Sequence, residues 1–343
     1  MESYQVLEHE FASWNELDPS GMVCCSSGTA ALHLALEALQ IRNRGTCLIP
    51  QYTMVACARA AALAGFKTHF VDCKDDLTLD PGLICKAISD CSYNVENGRY
   101  ATTIMSVAIY GRRCDTDSIV RTGGSYRLHM IEDLAEAHGV KPHPNSTAVA
   151  WSFYRNKIIH GEEGGAVWFR EPEHADKARQ LRSLGFTDSH DFIHIPRGHN
   201  YRMSNCHAEL ILPSLREADY NIQGRKVSEQ IYNEFTPKEW RMPARDVPWV
   251  YDLRIPDLTH QTQWKLVQNL NEQGVAARCG FRCMAEQPEF RGFYEQTNAY
   301  RLSKEVFYLP LRPWMEAKEI RRTVDLLMSA VDASPQPVNA SLP

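Results

Sequence analysis

Three groups of residues have the types and spacing to do chemistry together. Lys157 is a lone lysine between an apolar run ending at Ser152 and the turn Gly161-Glu-Glu-Gly-Gly165. An amine held in such a loop can act as a nucleophile; the plainer reading is a solvated surface charge. Asp133 closes another apolar run, in Glu132-Asp-Leu-Ala-Glu136-Ala-His-Gly139. It reads either as a carboxylate at a ligand-bearing strand end or as a helix cap. Ser27-Gly28-Thr29 opens an apolar helical pattern. Its free N–H groups and the positive end of the helix dipole suit a phosphate, although a plain capped helix has the same signature.

The elements that must carry these groups alternate along the chain. Strand-like Met22 to Ser26 changes at Gly28 to a helical period, with Leu32, Ala35, Leu36 and Leu39 on one face. Further strands are expected at Thr46–Pro50, Thr68–Asp72, Thr102–Gly111 and Tyr126–Asp133, with helices between them. Continuous apolar strands separated by helices mean a mostly parallel sheet buried on both faces, an α/β fold. Two strands joined by a loop are expected to hold Lys157. A charged helix follows from Pro172 to Leu184, and one helical pattern runs from Cys206 to about Phe235.

The last third has strands at Trp249–Ile255, Val275–Phe281 and Glu305–Leu311 and helices at Gln261–Gln273 and from Met315. The expected division is a large domain over residues 1–225, bridged by the helix at about 206–235, and a smaller C-terminal α+β domain over 226–331. Residues 332–343 are expected to be a disordered tail.

At 343 residues there is ample core for that division. A formal charge of −5 gives no basic surface for nucleic acid. No apolar run approaches a membrane span and the first residues do not form a signal peptide, so a cytoplasmic protein is expected. The 11 cysteines lack the paired spacing of a zinc site and read as reduced thiols; no metal is expected.

A phosphate site, a strand-end aspartate and a loop lysine, in that order, are what pyridoxal phosphate requires: an anion cradle, a carboxylate to keep its ring nitrogen protonated, and an amine for the Schiff base. The chain resembles the DegT/DnrJ/EryC1/StrS family of sugar aminotransferases, of fold type I. The resemblance is carried by Ser27-Gly-Thr-Ala-Ala-Leu-His-Leu-Ala-Leu36, Glu132 to Gly139, Ser152-Phe-Tyr-Arg-Asn-Lys157 with its Gly-Glu-Glu-Gly-Gly turn, His199-Asn-Tyr-Arg-Met-Ser-Asn205, and Arg278-Cys-Gly-Phe281. It implies Lys157 as the Schiff-base lysine, Asp133 on the pyridine nitrogen, and Ser27, Gly28, Thr29 and Ser152 around the phosphate. It also implies that Asn200 reaches the phosphate of a partner subunit, making a homodimer with shared active sites.

The chain departs from the family pattern in three places. Met54 stands where an aromatic side chain usually stacks on the cofactor; its thioether can pack on a π-face, or Tyr52 takes over. Glu136 replaces a glutamine that donates to the phenolic oxygen, so it is expected to be protonated or turned away. The chain starts later than many relatives and Val140–Thr147 is abbreviated, in regions that shape the substrate side.

The function so implied is amino transfer from L-glutamate or a similar donor to a keto group, with a nucleotide-linked keto-sugar as the expected acceptor. Arg278 and Arg202 are candidates for pairing with a carboxylate or phosphate. The alternatives are a different small ketone, a sugar dehydratase, in which a histidine replaces the lysine and His160 is the residue to check, and a non-catalytic cofactor-binding sensor or assembly subunit.

Overall fold

The computed structural model describes residues 2–41, 45–93, 101–187, 192–291 and 297–332. Seven strands form the main sheet: β1 (Met22–Cys25), β2 (Thr46–Pro50), β3 (Lys67–Val71), β4 (Ala101–Val107), β5 (His129–Asp133), β6 (Ala148–Ser152) and β7 (Gly165–Phe169). Their order is β1-β7-β6-β5-β4-β2-β3. Neighbours from β6 through β3 run parallel, whereas β7 runs antiparallel to both β6 and β1. The ends of β1, β5 and β6 and the start of β7 therefore meet at one edge. Strands β1, β2 and β7 are buried along their full length, which accounts for their unbroken apolar sequences.

Helices α1 (Ser3–Trp14), α2 (Gly28–Ala38) and α3 (Val55–Leu63) follow one another against this sheet or its flanks. A second, antiparallel sheet in the order β8-β10-β9 contains β8 (Tyr251–Arg254), β9 (Arg278–Cys279) and β10 (Val306–Leu309). It carries its own apolar core, which includes Tyr232, Leu253, Phe307 and Leu327, apart from the larger core around β1 to β7.

Several expected elements are corrected: β5 begins at His129 rather than Tyr126, β9 is only Arg278–Cys279 within the expected Val275–Phe281, and two more differ. The helical pattern from Cys206 is two helices, Asn205–Arg216 and Ala218–Phe235. Pro213 withholds an amide donor from the last turn of the first, and the chain bends at Glu217. Strand β4 stops at Val107 rather than Gly111, because Tyr110 (φ 51) and Gly111 (φ 88) turn into left-handed backbone. A side chain at Gly111 would collide with the Val247 carbonyl, so that turn requires glycine.

Of the expected tail at 332–343, residues 333–343 lie outside the described residues, and Asp332 instead closes the last helix, Ala317–Asp332. Among the described residues no helix is long and apolar enough to cross a membrane.

Candidate functional site

The sheet edge opens into a cavity of about 370 Å³, lined by Ser27, Gly28, Thr29, Met54, Asp133, Glu136, Ser152 and Lys157 among others. At its floor, Ser27 caps α2 by accepting the Ala30 N–H (3.1 Å). The first helical amides, Gly28 and Thr29, have no acceptor among the described residues. A Cβ on Gly28 would lie 2.7 Å from that of Ser152, and one on Gly165 would lie 2.3 Å from the Ser27 carbonyl. The glycines therefore let the helix start press against β6 and β7, with the Ser152 hydroxyl beside open amides.

Asp133 ends β5, 6 % exposed. Its Oδ1 accepts the Ala135 N–H (2.9 Å) and its Oδ2 accepts the Cys57 thiol (3.2 Å). Burial pushes its pKa above the ordinary carboxyl value, against the pull of these bonds and of Lys157. Burial also keeps Cys57 a neutral thiol, so it donates and Asp133 accepts.

One turn on, Glu136 Oε2 accepts the Tyr110 N–H (2.9 Å), and Oε1 lies 3.5 Å from Lys157 Nζ. Burial raises Glu136 to about 7, opposed by the Lys157 charge and aided by the Asp133 charge. Glu136 thus faces into the cavity, rather than away from it, and titrates near neutrality. The main cause is loss of water around the carboxyl. The left-handed Tyr110 turn is what aims the amide at this carboxyl.

Lys157 Nζ sits 3.8 Å from the centre of the Trp249 ring. Its loop is held by two distant residues: His138 Nδ1 accepts the Ile159 N–H (3.1 Å), and Trp249 Nε1 donates to the Asn156 carbonyl (2.7 Å). Burial first, then the Lys157 charge, depresses His138 to about 3, so it is a neutral acceptor. Phe281 and Tyr308 complete the far wall.

Eight of the expected residues converge here; four do not, and neither does His160, the residue to check for the dehydratase reading. Tyr52 is fully enclosed, its hydroxyl 3.2 Å from that of Tyr110, so the exposed Met54 forms the wall instead. Arg278 is exposed on β9, paired with Tyr308. Asn200 and Arg202 bond to each other (3.1 Å) on the exterior of their own chain. His160 is exposed outside the lining, its amide donating to Ser214 Oγ (2.8 Å).

Sequence reasoning missed Trp249, Cys57, Tyr110 and Tyr308. Their types are ordinary core types, and no local spacing announces them. Only Phe281 had a signal, as the last residue of a motif noted for Arg278.

The DegT/DnrJ/EryC1/StrS aminotransferase family model matches residues 2–328. Similar proteins include GDP-perosamine synthase of Caulobacter vibrioides, 28% identical over 83% of this chain and 78% of that protein. GDP-perosamine synthase of Escherichia coli O157:H7 is 33% identical over 67% of this chain and 62% of that protein. Among solved structures, S. venezuelae DesV superposes with a TM-score of 0.83 at 25% identity, covering 96% of this chain and 89% of that one. 3-Amino-5-hydroxybenzoic acid synthase reaches 0.86 at 22% identity, covering 96% and 91%, a likeness of fold.

Proposed function

Since the chain belongs to the DegT/DnrJ/EryC1/StrS aminotransferase family, we propose that it transfers an amino group from L-glutamate or a similar donor to a nucleotide-linked keto-sugar, using pyridoxal phosphate. The observation that carries this reading is the meeting of the Ser27–Thr29 turn, Asp133 and Lys157 in one cavity. The relatives named as GDP-perosamine synthases support the acceptor class.

The residues fit the cofactor. Open amides at Gly28 and Thr29, with the Ser27 and Ser152 hydroxyls nearby, form an anion cradle whose glycines leave no room for a Cβ. Asp133, bonded on both oxygens, would hold the protonated ring nitrogen. When bound, pyridoxal phosphate supplies an electron sink for negative charge beside the transferred nitrogen.

The chain's own groups do the rest. Lys157 would hold the cofactor through its side-chain amine, and that amine, when not so engaged, would take the proton from the donor Cα and return it. The Trp249 face and the Glu136 carboxyl confine it to a short arc over the cavity. A protonated Glu136 donates a hydrogen bond to an oxygen beside it, which an ionised one cannot do. Met54 lays a thioether on the wall where a ring would rest. Trp249, Phe281 and Tyr308 exclude water from the reacting atoms.

The same proposal takes the domain division as residues 1–225 and 226–331, and a homodimer in which Asn200 contacts the phosphate of the partner. Arg278 and Arg202 would meet acceptor phosphate or donor carboxylate from outside the cavity. The dehydratase alternative lacks support: the loop position is Lys157, and His160 is outside the cavity lining.

The test is spectroscopic. The purified protein is expected to show the visible band of lysine-bound pyridoxal phosphate, and L-glutamate should convert it to the amine form. The band should vanish in Lys157→Ala. Absence of that band in the parent overturns the cofactor; a band that ignores every amino donor overturns the transfer.

A further inference from the structure

Helix α2 carries a second group of ligating side chains, away from the cavity lining. His33 and Glu37 are one helical turn apart on the same face and only 4 % and 6 % exposed. His199, from the segment that precedes Asn200, closes over them. Its Nε2 is 2.7 Å from Glu37 Oε2, and His33 Nε2 is 4.0 Å from Glu37 Oε1. One donor atom from each of the three residues lies within 4.8 Å of the others.

We propose that His33, Glu37 and His199 form a site for a zinc-class divalent cation that ties α2 to the 199–201 segment. Donor atoms around a tetrahedral Zn²⁺ with bonds of about 2.0–2.1 Å lie roughly 3.3 Å apart. The 2.7 and 4.0 Å contacts run to different Glu37 oxygens, and one donor atom from each residue lies within 4.8 Å of the others, so side-chain rotations must draw the three together to seat an ion.

Two imidazoles and one carboxylate select zinc-like ions over magnesium or calcium, which prefer all-oxygen sites. The ligands are also oriented from behind. His33 Nδ1 is 3.2 Å from the Tyr201 hydroxyl, which turns Nε2 toward Glu37 as the ligating atom. His199 is pinned by its backbone, its N–H donating to the Leu181 carbonyl (2.6 Å) and its carbonyl accepting the Leu184 N–H (2.9 Å). The side chain of His199 is 24 % exposed, so a water can take the fourth position.

The cation would act at a distance from the chemistry. Ser26 N–H donates to the Tyr201 carbonyl (2.8 Å), so the same segment already touches the strand that leads into the Ser27–Thr29 turn. A metal on His199 would clamp a second point of that contact. The site is independent of the aminotransferase reading, because ion binding is measured without turnover.

The full chain, with its cofactor and after chelator treatment, is titrated calorimetrically with Zn²⁺. The background is Cys85→Ser with Cys206→Ser, since those two thiols are exposed and compete for zinc. One equivalent is expected per chain, with Kd below ~1 µM, and no heat from Mg²⁺. His199→Ala or Glu37→Gln should weaken binding more than ~100-fold, and Tyr201→Phe about tenfold. Zn²⁺ should raise the melting temperature of the parent and leave that of His199→Ala unmoved. No stoichiometric binding, or full affinity retained in His199→Ala, overturns the site. Because His199 is the partly exposed ligand, that variant decides the question if the buried ones fail to fold.

Discussion

On one side of the cavity Ser27, Gly28, Thr29, Asp133 and Ser152 all come from one edge of the seven-stranded sheet; on the other, Trp249, Phe281 and Tyr308 arrive from chain around the small sheet. The sheet side is polar, and much of it is anchored by backbone: Ala135 N–H holds Asp133, and Tyr110 N–H holds Glu136. The far side is aromatic and touches Lys157 through a ring face. Rigid strand ends suit groups that must hold charge and protons in place. A packed aromatic wall suits exclusion of water and choice of substrate. Substitutions on the sheet side should therefore depress kcat, and those on the far side should mix KM with kcat.

The hardest test of that contrast is Lys157→Ala, expected to lower kcat by ~10⁴-fold or more with the fold intact by circular dichroism. Turnover within tenfold of the parent would remove Lys157 from the chemistry.

Trp249→Ala should come next. It removes a desolvated cation–π contact of roughly 2 kcal/mol and the indole that holds the Asn156 carbonyl. A drop in kcat/KM of about 30-fold is expected, with KM rising as well as kcat falling. A pure kcat loss in steady-state kinetics would assign Trp249 to the sheet side instead.

Glu136 offers a pH test. Its pKa is raised from 4.5 to about 7, chiefly by burial. Between these values the folded state keeps a proton that the unfolded chain releases. Its contribution to the stability of the cofactor-free protein is therefore full below pH 4.5 and declines as pH rises through about 7. In Glu136→Gln the profile of melting temperature against pH should flatten over that window; an unaltered slope would mean that this carboxyl titrates normally.

Met54→Phe should have the smallest effect, a change in kcat/KM of about threefold or less, because thioether and ring both pack on a flat face at ~0.3–1.5 kcal/mol. Loss of cofactor binding in that variant would show that the wall has no space for a ring.

The sheet side was legible in the sequence because each of its groups announces itself locally. A change of period at Gly28 marks a helix start, an apolar run marks the strand that ends at Asp133, and a Gly-Glu-Glu-Gly-Gly turn marks the loop after Lys157. The far side was not legible, since Trp249 and Tyr308 look like any core aromatics until the chain folds. The choice between Met54 and Tyr52 was equally hidden. Both precede α3, and only the packing of Tyr52 against Tyr110 and Phe281 turns its ring inward.

By itself, then, the sequence determined the alternation of strands and helices, and hence the parallel sheet and the order in which the Ser27–Thr29 turn, Asp133 and Lys157 occur, because periodicity and turn chemistry act over a few residues. Tertiary structure alone decided that Cys57 donates to Asp133, that His138 and Trp249 hold the lysine loop, that Glu136 titrates near neutrality, and that His33, Glu37 and His199 meet. Those outcomes depend on burial and on contacts between distant parts of the chain, which no local pattern of residues records.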